Sequence, residues 1–99
     1  MSASKHPFDV ISIPVIDIHH LDEATAVRLE SEGDDNPWCR CALCKDGIIL
    51  ELGDMELDDE SIPQCLLDLR RWSQDKQISM WVMLEALGEP LDDLPVYSW

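Results

Sequence analysis

The chain has 99 residues, and its 21 Asp and Glu stand against 7 Lys and Arg, for a formal net charge of −14 at pH 7. That excess excludes unaided docking on nucleic acid or on an anionic membrane, because both attract cations and repel this chain. Apolar residues still make up 45%, well above an acidic disordered tail, so residues 1–99 are expected to form a single domain with one modest core and a charged surface.

Met1 to Asp9 and the apolar stretch that follows, broken by Ser12, Pro14 and Asp17, are too short and interrupted for a secretory or membrane segment. The expected compartment is therefore the cytoplasm, where thiols stay reduced. Val10 to Ile18 is rich in β-branched residues and predicts a first strand, with Pro14 at an edge or bulge. Asp22 predicts the cap of a helix through Ala24, Ala26, Val27 and Leu29, with Leu21 as a staple and Gly33 as the terminator. Glu32, Asp34, Asp35 and Asn36 then make a polar loop before Pro37.

From Trp38 to Cys44 the residues alternate with the period of a strand. The Asp46-Gly47 pair predicts a tight hairpin turn, and Ile48 to Leu52 its partner strand. Gly53 to Glu60 is acidic and breaks regular structure. Ser61 and Gln64 have capping-box spacing around Pro63, and a second helix runs to about Lys76 with Ile62, Cys65, Leu66, Leu69 and Trp72 on one face. Ile78 to Leu87 fits a buried strand or a short apolar helix by periodicity; its length, Val82, Trp81 and the following Gly88-Glu89-Pro90 favour the strand. Leu94 to Trp99 closes the chain as an extended piece. The order β-α-β-β-α-β predicts a small α+β (or α/β) sandwich, a mixed sheet with two helices on one face.

Three stretches resemble an uncharacterised family of small bacterial domains associated with phages, plasmids and other mobile elements. They are His20-Leu21-Asp22-Glu23-Ala24-Thr25-Ala26, the helix end Leu69-Arg70-Arg71-Trp72, and the ending Leu91-Asp92-Asp93-Leu94-Pro95-Val96-Tyr97-Ser98-Trp99. The most specific part is Leu-Pro-Val-Tyr-x-Trp. The resemblance carries no reaction and no catalytic residue; it implies a genetic context in which proteins often oppose host defences. Cys39-Arg-Cys-Ala-Leu-Cys44 departs from the family pattern.

Two constellations offer chemistry. Cys41-x-x-Cys44 has a spacing that holds two thiolates on zinc, with Cys39, Cys65 or a histidine completing a four-ligand set; the alternative is four small buried hydrophobes. Asp17-Ile18-His19-His20 reads either as a base with its orienting carboxylate or as a polar strand end with one histidine hydrogen-bonded before the helix. No serine elbow, partnered nucleophile or glycine-rich phosphate cradle accompanies them. No cofactor and no enzymatic activity are expected.

The acidic residues cluster at Glu30, Glu32, Asp34 and Asp35, at Glu51, Asp54, Glu56, Asp58, Asp59 and Glu60, and at Glu85, Glu89, Asp92 and Asp93. Asp54 to Glu60 lacks the glycine and distal glutamate of an EF-hand loop. Duplex DNA carries one charge per roughly 1.7 Å, and an extended segment advances about 3.3 Å per residue, so Glu51 to Glu60 presents carboxylates at comparable density. The expectation is a non-enzymatic inhibitor or DNA mimic, of anti-restriction or anti-CRISPR type, that blocks a basic protein or nucleoprotein complex. Its binding residues would be the second cluster with Glu32, Asp34, Asp35, Asp92 and Asp93 and the aromatic anchors Tyr97 and Trp99. A small zinc-binding regulatory module on Cys39, Cys41, Cys44 and Cys65 is the alternative. Homodimerisation through a final edge strand is open to either.

Overall fold

The computed structural model describes residues 11–99. Strand β1 (Val15–Asp17) leads through a single 3₁₀ turn (Ile18–His20) into helix α1 (Glu23–Glu32). A second short turn (Gly33–Asp35) precedes the hairpin β2 (Arg40–Leu43) and β3 (Gly47–Glu51), and helix α2 (Gln64–Lys76) connects this to β4 (Trp81–Glu85). The sheet order is β1-β4-β3-β2, with β4 parallel to β1 and antiparallel to β3. The fold is therefore the mixed α+β arrangement that the element order predicts. The first strand is shorter than the β-branched stretch, because Pro14 contributes only its carbonyl to the sheet, accepting from the Met83 N–H at 2.9 Å. Val10 lies outside the described residues.

Alternation along the strands decides where the core sits. Ile16, Cys41, Ile48, Leu50, Val82 and Leu84 are buried on one sheet face, as a period of two requires when only one side is covered. The helices contribute Ala26 and Leu29 from α1 and Cys65, Leu66, Leu69 and Trp72 from α2 to the same core. Each fully buried Leu or Ile contributes roughly 1.5–3 kcal/mol of transfer free energy. The opposite face, with Val15, Ile49, Trp81 and Met83, is only half-buried or exposed.

Local signals hold at the helix ends with one exception. Asp22 Oδ1 accepts the Thr25 N–H at 2.8 Å, and Gly33 ends α1 at φ 56°, a positive φ that glycine adopts at least cost. At α2 the capping box between Ser61 and Gln64 does not form. Pro63 occupies the cap position without a side-chain bond, because Ser61 instead donates its hydroxyl and its N–H to Asp59 Oδ1, at 2.7 and 2.8 Å.

The hairpin turn is offset by one residue from Asp46-Gly47. Cys44 donates to the Gly47 carbonyl at 2.8 Å, so Lys45 and Asp46 are the central pair and Gly47 is the first residue of β3. Gly47 is required for a different reason: a Cβ there would overlap the Leu84 carbonyl oxygen on β4. The last strand, moreover, lies inside the sheet between β1 and β3, and Leu94 to Trp99 forms no strand. Dimerisation through a final edge strand is thereby corrected, since β4 has no free edge.

Gly47→Ala should lower unfolding free energy by about 1–3 kcal/mol, the cost of forcing atoms into packed space. Gly53→Ala should cost less, because the crowding there is dominated by the flexible end of Glu51; urea unfolding of the two variants checks the ranking. For Asp22, burial pushes its pKa up, but the Thr25 amide and hydroxyl and the Cys65 thiol outweigh it and hold the carboxyl below 3.8. A carboxyl lowered on folding stabilises the fold above the unfolded value and loses that contribution as pH falls through the folded one. Asp22→Ala should therefore cost about 1 kcal/mol at neutral pH, and the gap to the parent should shrink in urea titrations below pH 3.8.

Candidate functional site

The second acidic cluster is not an extended ribbon. Met55 donates to the Leu52 carbonyl at 3.5 Å, Asp59 to Glu56 at 2.9 Å and Ile62 to Asp59 at 3.3 Å, so successive turns fold the run back on itself. Leu52, Met55 and Ile62 are buried and pin the loop at three points. Trp38 adds a fourth tie, its indole Nε1 donating to Ser61 Oγ at 3.1 Å. The extended spacing expected for this run therefore does not apply to its backbone.

Within this loop the carboxylates divide by task. Glu51 accepts from the Gly53 and Asp54 amides, at 2.9 and 3.3 Å, and holds the chain as it leaves β3. Asp59, through its bonds from the Ser61 hydroxyl and amide, is held below the usual carboxylate range. Asp54, Glu56, Asp58 and Glu60 are exposed, and among the described residues no cation or donor engages their side chains.

The other predicted acids divide in the same way. Asp34 Oδ1 accepts the Cys41 N–H at 3.0 Å, occupying a backbone donor on the outer edge of β2. Glu32 pairs with Arg28 at 2.9 Å, and Asp93 with Lys76 at 3.0 Å. Asp35 and Asp92 are exposed. The charges of Glu51 and Asp34 both act on the Cys39 thiol. Asp93 instead sits at the C-terminal end of α2.

The two aromatic anchors belong to a clasp between the chain's last residues and the turn after β1. His20 is only 2% exposed. Its Nε2 accepts the Leu91 N–H at 2.9 Å, and its Nδ1 lies 2.8 Å from the Pro95 carbonyl. One accepting and one donating nitrogen define the neutral tautomer with the proton on Nδ1. The Tyr97 N–H donates to the His19 carbonyl at 2.8 Å, and the Trp99 indole Nε1 to the Leu21 carbonyl at 2.9 Å. The Trp99 ring also lies 4.6 Å from that of His19, tilted by 45°. Asp17 Oδ1 accepts from the His19 amide at 2.9 Å and lies 2.7 Å from its Nδ1; burial pushes Asp17 up, but the His19 contacts win and lower it. Leu94 is buried, Tyr97 half-buried, and Trp99 remains 41% exposed.

A family model matches residues 13–99 as the C-terminal domain of a family of unknown function, DUF5983. The chain belongs to that family. No curated protein and no solved structure matches it.

In this DUF5983 domain the four cysteines do not converge. Cys41 is buried, with its thiol 3.9 Å from the Leu29 carbonyl, whereas Cys65 donates to Asp22 Oδ2 at 3.5 Å from α2. Burial, reinforced by Cys41, Glu51 and Asp34, pushes Cys39 up to about 12. Burial also raises Cys41 and Cys65. Thiols held protonated are poor nucleophiles and poor metal ligands. Among the described residues no three His, Cys, Asp or Glu side chains are grouped to hold a metal ion, and no helix is long and apolar enough to cross a membrane.

The clasp escapes sequence reasoning, because it joins residues more than seventy positions apart. The only local signal is the His19-His20 pair at a strand end. His20→Ala leaves the Leu91 N–H and Pro95 carbonyl without their partner, and should destabilise the domain by about 2–4 kcal/mol. Urea unfolding monitored by tryptophan fluorescence measures that loss.

Proposed function

We propose that this domain is a non-enzymatic inhibitor that occupies the nucleic-acid groove of a basic protein or nucleoprotein complex. One observation carries the reading: Asp54, Glu56, Asp58 and Glu60 are exposed, and among the described residues uncompensated, on a loop whose backbone is anchored in the core. A carboxylate already held by a neighbouring cation has little left to offer a partner, and among the described residues no cation holds these four. Anchoring lowers the ordering cost of binding, because the array does not collapse from a flexible ensemble. The chain's net charge of −14 adds a long-range field that speeds encounter with a positive groove and repels nucleic acid itself.

The ending Leu94-Pro95-Val96-Tyr97-Ser98-Trp99 and the preceding motifs support a bacterial, mobile-element setting, with the protein acting in the cytoplasm. The target in that setting is a restriction or CRISPR-type defence complex. Trp99, half-exposed beside the clasp, supplies an aromatic contact of the kind that concentrates binding energy.

The test uses immobilised protein and bacterial cell extract. It should retain nucleic-acid-binding proteins at low salt, and added duplex DNA should compete for them. Association with a purified captured partner should slow by about two orders of magnitude from low to high salt, as for steered encounters. The combined Asp54→Lys, Glu56→Lys, Asp58→Lys and Glu60→Lys variant, which spares the structural Asp59 and Glu51, should fold normally and lose retention. Binding that ignores salt, DNA competition or this reversal overturns the proposal.

A further inference from the structure

The largest cleft near the clasp encloses about 580 Å³ and is lined by His19, Glu30, Leu43, Asp46, Ile48 and Trp99, among others. It lies where the parallel strands β1 and β4 end: His19 follows β1, and Ala86, also in the lining, follows β4. The hairpin turn closes one side and α1 another. We infer that this cleft seats an arginine side chain of the basic partner, with the guanidinium on the Trp99 ring between the carboxylates of Glu30 and Asp46. The inference rests on the reading of a basic partner given above and names where one of its side chains goes.

Three features select a guanidinium. The Trp99 ring is pre-positioned, through its indole bond to the Leu21 carbonyl at 2.9 Å and its contact with His19, yet it is still 41% exposed. A fixed aromatic face attracts a cation without first having to be ordered. The floor is apolar, from Ile18 and Ile48, which suits the methylene stem of a long side chain whose charged head reaches further. Glu30 is exposed on α1 and Asp46 in the hairpin turn, and among the described residues neither makes a salt bridge. Lys45 is the one cation in the lining; it is exposed, and two carboxylates oppose it.

Other occupants suit the cleft less well. An anion meets the −14 field, and an uncharged ligand leaves Glu30 and Asp46 desolvated without compensation. A planar, weakly hydrated guanidinium stacks on an indole better than a compact ammonium does. The chain already contains one such contact, with the Arg28 guanidinium carbon 4.7 Å from the Trp38 ring centroid.

The experiment titrates the isotopically labelled 99-residue chain with acetyl-arginine-amide, with acetyl-citrulline-amide as the uncharged isostere. Amide and indole NMR signals report the site. The arginine probe should move the Trp99 indole resonance and the amides of Lys45 to Gly47. Citrulline should move them far less, and Glu30→Gln with Asp46→Asn should weaken the arginine response about tenfold, each carboxylate giving a few-fold. Reversing Asp54, Glu56, Asp58 and Glu60 should leave these shifts in place while abolishing partner retention, which separates failure of the cleft from failure of the inhibitor reading. Equal shifts with citrulline, or arginine shifts confined to Asp54 to Glu60, overturn the assignment.

Discussion

His20 is the contact on which the rest of the domain's arrangement depends. Its imidazole, almost wholly buried, accepts from the Leu91 N–H and reaches the Pro95 carbonyl, so one side chain satisfies two backbone groups of a segment that forms no helix or strand. Irregular backbone laid against a core needs such partners, because an unpaired buried amide or carbonyl costs far more than a paired one returns. Once this segment is held, Leu94 enters the core, Tyr97 and Trp99 bond to the backbone at His19 and Leu21, and the wall of the cleft is complete. The Leu-Pro-Val-Tyr-x-Trp ending is thus a structural latch that also positions an aromatic face.

The second organising constraint is charge. A net −14 on 99 residues produces self-repulsion, and the fold limits it by giving many carboxylates local donors. Asp22 caps α1, Asp17 engages His19, Glu51 and Asp59 shape the loop after β3, and Asp34 blocks a donor on the β2 edge. Glu32 and Asp93 have cationic partners. Among the described residues, Asp54, Glu56, Asp58 and Glu60 on one anchored loop and Glu30 and Asp46 at the cleft make no salt bridge, and other acids, Asp35 and Asp92 among them, stay exposed elsewhere on the surface.

Sequence patterns located the elements well wherever the signal was local. Apolar spacing marked both helix faces, Asp22 and Gly33 marked the ends of α1, and alternation marked the hairpin strands, because each depends on neighbours within a few residues. The patterns misled where two local options competed. Asp46-Gly47 resembles a turn pair, but Gly47 serves the close approach of β4; Ser61 resembles a cap, but Asp59 captures it. In each case a second partner, from another strand or from two residues earlier, outbid the motif.

Taken alone, the sequence determined the net field, the β-α-β-β-α-β order, the apolar faces and the helix caps, since periodicity and short-range hydrogen bonding are encoded locally. It did not determine that β4 inserts between β1 and β3, that the cysteines stay unpaired, or that the last nine residues latch onto the His19–Leu21 turn. Nor did it reveal which carboxylates are consumed internally and which remain free. Those outcomes depend on pairing across long separations, where burial and hydrogen-bond satisfaction of the whole chain select one arrangement among many that local preference allows.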